Sequence, residues 1–113
     1  MPFDFERLEV CKEAKILNKE ILLFLKSHKA IDPYIRDQLK RSSISMVINI
    51  AEGSGKFSKP DKRNFYTIAR SSVYECVSLF DIIEDIYGID NSFYYQRLER
   101  LSKMLFGLIN SQK

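Results

Sequence analysis

Gly53-Ser54-Gly55-Lys56 is the segment that most invites a chemical reading, because glycines followed by a lysine can cradle phosphate. A phosphate loop requires Gly-x-x-x-x-Gly-Lys-Ser/Thr after a strand. Here Ile50 holds the first glycine position, Phe57 holds the hydroxyl position, and the segment follows a helical pattern. A helix–helix turn is the expected structure. His28 is the only histidine, so a Ser-His-Asp triad would have to use it. It falls at a predicted helix end, where an imidazole commonly meets the last carbonyls. The Glu-x-x-His pattern of di-metal bundles is absent, and Glu84 and Asp85 are expected to be solvated. No catalytic constellation emerges, so the expectation is no enzyme, no cofactor and no metal.

One feature rises above background. From Lys56 to Arg70 the basic residues are Lys56, Lys59, Lys62, Arg63 and Arg70, against a single acid, Asp61. Several flank a predicted helix N-terminus, whose free N–H groups and dipole favour anions. Arg36, Lys40 and Arg41 could extend the positive surface. The candidate nucleic-acid-binding residues are therefore Lys56, Lys59, Lys62, Arg63, Arg36 and Lys40, a set suited to a phosphate backbone. The competing reading is a solvated polar turn. Oligomerisation would favour the first, since repeated copies sum their field.

The elements that must position these residues are four helices, expected over about 5–28, 33–53, 59–87 and 92–110. In the first, Leu8, Cys11, Ala14, Leu17, Ile21, Phe24, Leu25 and His28 recur at helical spacing, with Glu9, Lys12, Lys15, Lys19 and Lys26 on a solvated face. Asp32-Pro33 supplies an N-cap and a first-position proline. In the second, Ile35, Leu39, Ser42, Met46, Asn49 and Gly53 trace one stripe, and Ile44, Val47, Ile48 and Ala51 a second. Two apolar faces predict burial in a larger assembly. Gly53-Ser54-Gly55 breaks the helix, and Ser58-Lys59-Pro60-Asp61 reads as a capping box. The third helix carries Phe65, Ile68, Ala69, Ser72, Cys76, Leu79, Ile83 and Ile86, widened by Val73, Val77 and Phe80. Gly88 ends it. Asn91 or Ser92 caps the fourth, whose seam is Tyr94, Leu98, Leu101, Leu105 and Leu108.

Short loops make the fold all-α, an antiparallel up-down four-helix bundle in one domain. That topology sets Ser42 and Ser43 opposite Ser71 and Ser72, Glu75 near Arg41, Glu52 near Lys62 and Arg63, and Gly107 close to Ser72. Arg41 and Glu75 read as an interhelix ion pair, Asn49 as a core amide bonded to a neighbouring helix, and Glu52 as a carboxylate favoured by the start of helix 3. Arg41, Asn49, Glu52, Arg70 and Glu75 form the structural polar set.

Composition agrees. Hydrophobic residues make up 45% and charged ones 29%, ordinary for a globular chain. Lys and Arg total 18 against 15 acids, a mild excess of +3 that permits contact with phosphate. Cys11 and Cys76 sit in apolar patterns and are expected to be reduced core thiols. The first residues lack the basic start and apolar run of a signal peptide, and no apolar run approaches the roughly 20 residues of a membrane span. A cytoplasmic protein without a membrane role is expected.

The segments Phe5-Glu6-x-Leu8-Glu9-Val10, Gln38-Leu39-Lys40-Arg41-Ser42-Ser43-Ile44-Ser45 and Asn49-Ile50-Ala51-Glu52-Gly53 resemble the four-helix bundle proteins encoded within 23S ribosomal RNA intervening sequences of bacteria. So do Ile68-Ala69-Arg70-Ser71-Ser72-Val73-Tyr74-Glu75 and Leu101-Ser102-Lys103-Met104-Leu105-x-Gly107-Leu108-Ile109. Family members usually carry Trp where this chain has Cys11. The resemblance implies a bacterial, cytoplasmic protein without enzymatic activity that assembles as a homopentameric ring. A bundle related in fold, the accessory variability determinant of diversity-generating retroelements, forms a basic five-subunit barrel that binds nucleic acid. The expected partners are other copies of the chain and RNA or DNA. The alternative is a protein scaffold engaged through the middle of helix 2 or Phe57.

Overall fold

Capping chemistry sets most of the helix boundaries. The computed structural model describes residues 3, 5 and 8–113, and these form four helices: α1 (Glu9–Ser27), α2 (Pro33–Ser54), α3 (Lys59–Tyr87) and α4 (Ser92–Asn110). No strand occurs among the described residues. At the start of α2 the Asp32 carboxylate accepts the Tyr34 N–H at 2.8 Å, with Pro33 in first position. Ser58 Oγ accepts the Asp61 N–H at 3.2 Å and starts α3. Gly88, at φ 68°, closes α3 in the left-handed conformation that a Cβ disfavours.

Two boundaries differ from expectation. The first helix starts at Glu9, because Leu8 is extended and its apolar side chain cannot cap. Part of the expected earlier turn, Glu6 and Arg7, lies outside the described residues. At α4 neither expected residue caps with its own side chain. Asp90 Oδ1 instead accepts from the Ser92 N–H at 3.1 Å and Oγ–H at 2.6 Å, which holds its carboxyl below the usual range. Asn91 turns back toward α3, its N–H on Glu84 and its amide on Asp81.

The core is one contiguous cluster. It draws Val10, Cys11, Ala14, Leu17, Ile21, Phe24 and Leu25 from α1, and Leu39, Met46 and Ile50 from α2. From α3 come Ala69, Val73, Cys76, Phe80 and Ile83, and from α4 the expected seam of Leu98, Leu101 and Leu105. Phe80 stacks on Tyr94 at 4.6 Å between ring centres, and Phe24 meets both edge-on. Ile68 and Ile86, read as core from their spacing, are exposed, while Tyr66 is buried in their stead.

Tyr66 is buried because Gly53 makes room for it. A Cβ at Gly53 would lie 2.6 Å from Tyr66 Cε1 and 3.2 Å from Phe65 Cβ. Gly53 therefore packs inside the last turn of α2 and does not break the helix. The chain keeps turning beyond it, with the Gly55 N–H on Glu52 and the Lys56 N–H on Gly53. That extra rise moves the reversal toward Ser58 and shifts the register by about one turn. Ser72 consequently meets Ser45, at 2.9 Å between hydroxyls, and not Ser42 or Ser43. Gly53 meets Tyr66 and Ser54 meets Lys62, so contacts descend α3 as they climb α2. Gly107 faces open space, not Ser72.

Candidate nucleic-acid interface

Most of the candidate cations are already in use inside the fold. Lys62 Nζ donates to the Ser54 carbonyl at 2.9 Å, closing the C-terminal end of α2. Arg63 Nη1 donates to the Gln112 carbonyl at 2.7 Å, just past α4. Arg36 Nη2 donates to the Leu25 carbonyl at 2.7 Å in the last turn of α1. All three meet carbonyls in the last turn of a helix or just past it, where the negative end of the helix dipole favours a cation. Lys56 is half-buried with its ammonium 4.8 Å from the centre of the Phe65 ring. The expected phosphate turn is therefore largely a set of helix-end braces.

Lys59 and Lys40 are exposed, and they make no hydrogen bond or ion pair among the described residues. Arg70 is half-buried between α3 and α4. It lies 4.9 Å from the Tyr74 ring centre and 5.4 Å from that of Phe106, and it donates to the Tyr74 hydroxyl at 3.0 Å.

The structural polar set also needs correction. Arg41 and Glu75 are both exposed and form no ion pair; in solvent such a pair gains too little to hold two long side chains together. Glu52 is exposed beside Ala51, Gly55 and Phe5, and not paired with Lys62 or Arg63, which point to carbonyls. Asn49 bonds within its own helix, to the Ser45 carbonyl at 2.9 Å and to Ser45 Oγ at 3.0 Å. It reaches α3 only through Ser45, which touches Ser72, whose hydroxyl donates to the Ile68 carbonyl at 3.2 Å. His28 behaves as expected: Nδ1 lies 2.8 Å from the Phe24 carbonyl.

An apolar stripe borders this polar chain. Ile48 on α2 is 51% exposed, and Ile68, Ile82 and Ile86 on α3 are 41%, 42% and 61% exposed. Ile48 lies three residues after Ser45 and Ile68 four before Ser72, so both are one turn from the bonded pair in the same direction. Half-buried Ile44 and Leu79 continue the stripe. Both cysteines are free and buried. Burial, with Glu75 as a smaller contributor, pushes the Cys76 thiol up to about 12, so neither the thiolate nor a nucleophile is presented. Among the described residues no helix is long and apolar enough to cross a membrane.

A family model described as 23S rRNA-intervening sequence protein matches residues 6–107. No curated protein matches the chain.

Proposed function

The chain belongs to the 23S rRNA-intervening sequence protein family, and from that membership we propose a non-enzymatic, self-assembling bundle that binds structured nucleic acid in the bacterial cytoplasm. The observation that carries the assembly is the stripe of Ile48, Ile68, Ile82 and Ile86. Four large aliphatic residues exposed along one helix pair are the kind of surface that self-association covers. The descending contacts between α2 and α3 support an antiparallel up-down bundle, and the pentameric ring is the assembly the family resemblance implies. In a ring, each exposed cation is repeated once per subunit, so a net charge of +3 per chain becomes a strong summed field.

Light scattering coupled to size exclusion tests this reading, with and without a structured RNA at low and high salt. The expected result is a ring-sized mass that shifts with RNA at low salt and reverts at high salt. Ile48→Glu with Ile68→Glu should give a folded monomer, because neither side chain is in the monomer core. A monomeric wild-type mass at micromolar concentration would count against the assembly. A ring that ignores RNA would favour the protein scaffold, which the full solvent exposure of Phe57 at the α2–α3 turn supports.

A further inference from the structure

We propose that the nucleic-acid backbone runs along the α1–α2 face, over Lys15, Lys19, Lys26, Lys29, Arg36 and Lys40, and not over the turn after Gly53. This rests on the nucleic-acid reading above and gives it a site. A cleft of about 480 Å³ opens between the end of α1 and the start of α2, lined by Leu22, Leu25, Lys26, Lys29, Pro33, Arg36, Asp37 and Lys40. Four of these are cationic and one is acidic, so the cleft alone carries as much net charge as the whole chain. Arg36 is held there by its bond to the Leu25 carbonyl, and its Nε is buried without a protein acceptor among the described residues.

The positive surface extends beyond the cleft. Lys15, Lys19, Leu22, Lys26 and Lys29 follow one another at spacings of three or four, the rule for one helix face. Lys15 to Lys26 covers about 16 Å along the axis, and Lys29 in the following turn lengthens the track. All four lysines are exposed. Two of the three acids of α1 go the other way: Glu13 pairs with Arg100 of α4 at 3.3 Å and Glu20 lies beside Tyr94 of α4, while Glu9 pairs with Lys12 of its own helix at 3.4 Å. Lys26 and Lys29 thus line the cleft against α2, while Glu13 and Glu20 lie toward α4.

Lysine is depleted in the cores of protein–protein interfaces but is a regular point-charge partner of phosphate. The aliphatic side chains of the cleft itself, Leu22 and Leu25, are half-buried and buried, and the exposed Ile16 and Leu23 of α1 do not line it. These features separate two surfaces with two tasks, self-association on α2–α3 and a polyanion on α1–α2.

The test measures binding of labelled RNA and DNA hairpins of one sequence across a salt series, for wild type, for Lys19→Glu/Lys26→Glu/Lys29→Glu, and for Lys103→Glu on exposed α4 as control. All replaced side chains are exposed, and circular dichroism confirms that each variant folds. The triple variant should lose roughly tenfold or more in affinity, and its log–log salt slope should fall by about three, with the control unchanged. Equal loss on RNA and DNA, or greater loss on RNA, both support a backbone site. Wild-type binding that the triple variant retains, slope included, overturns the site while leaving the nucleic-acid reading intact. No wild-type binding to either hairpin overturns both, and triple-sensitive binding to anionic vesicles in that case assigns the face to a membrane surface.

Discussion

Ser45 Oγ lies 2.9 Å from Ser72 Oγ, a hydroxyl contact that ties α2 to α3. The Asn49 amide donates to Ser45 Oγ, and the Ser72 hydroxyl donates to the Ile68 carbonyl. The shared proton is then Ser45's, which orients the whole chain from Asn49 to Ile68. Such a chain polarises each member in turn. It also sits at the base of the apolar stripe, so packing register and the proposed assembly surface depend on the same pair.

Removing either hydroxyl should therefore cost more than an ordinary surface change. Ser45→Ala leaves Asn49 and Ser72 short of a partner, and about 1–2 kcal/mol of stability is expected to go. A double-mutant cycle with Ser72→Ala should give a coupling of about 0.5–1.5 kcal/mol by urea denaturation. Additive effects would mean that the pair is incidental to the register.

The glycines separate close packing from helix propensity. Gly53→Ala would place a methyl 2.6 Å from the ring of Tyr66, which is buried, and 3.2 Å from Phe65 Cβ. A loss of about 1–3 kcal/mol is expected despite the better helix former. Gly107→Ala meets nothing within 4 Å in the single chain, so it should add about 0.5–1 kcal/mol. Thermal melts of the two variants should move in opposite directions. If Gly107→Ala melts lower at assembling concentrations, that glycine lies in a subunit contact.

What could be read from the sequence was local. Asp32-Pro33, the Ser58 N-cap on Asp61 and Gly88 each end or begin a helix by chemistry confined to a few neighbouring residues, and all three are in place, with only the Ser58 half of the expected box formed. The seams of α1 and α4 followed from spacing alone. The α2–α3 register did not, because it depends on how far the chain keeps turning after Gly53. Nor did the destinations of Lys62, Arg63 and Arg36: a long flexible side chain can reach solvent or a nearby carbonyl, and spacing does not decide between them. The lysines of α1 were legible only as a solvated face. Their alignment with Arg36 and Lys40 needed the packing of α1 on α2.

Lys62 should act on stability where Lys59 does not. Lys62→Met keeps the apolar stem but leaves the Ser54 carbonyl unpaired, and about 1–2 kcal/mol should be lost. Lys59→Met, exposed and unbonded, should change stability by less than about 0.5 kcal/mol. Equal melting temperatures for the two would show that the Lys62 bond is not a brace.

Alkaline pH should weaken the fold through its buried thiols. Cys76 is pushed up to about 12, chiefly by burial, from an ordinary value of 9.0. Between those values the unfolded chain has released the proton and the folded chain keeps it. Stability from this group is then complete below pH 9 and falls as pH rises toward 12, at about 1.4 kcal/mol per pH unit. Cys11, Tyr66 and Tyr94 are raised in the same direction, burial being the main cause in each, and they steepen the decline. Cys76→Ala should be less stable at neutral pH because of the cavity it leaves, yet lose stability more slowly above pH 9. Urea midpoints at neutral pH and at two alkaline values check this, and an unchanged alkaline slope in the variant would locate the sensitivity in Cys11 and the tyrosines.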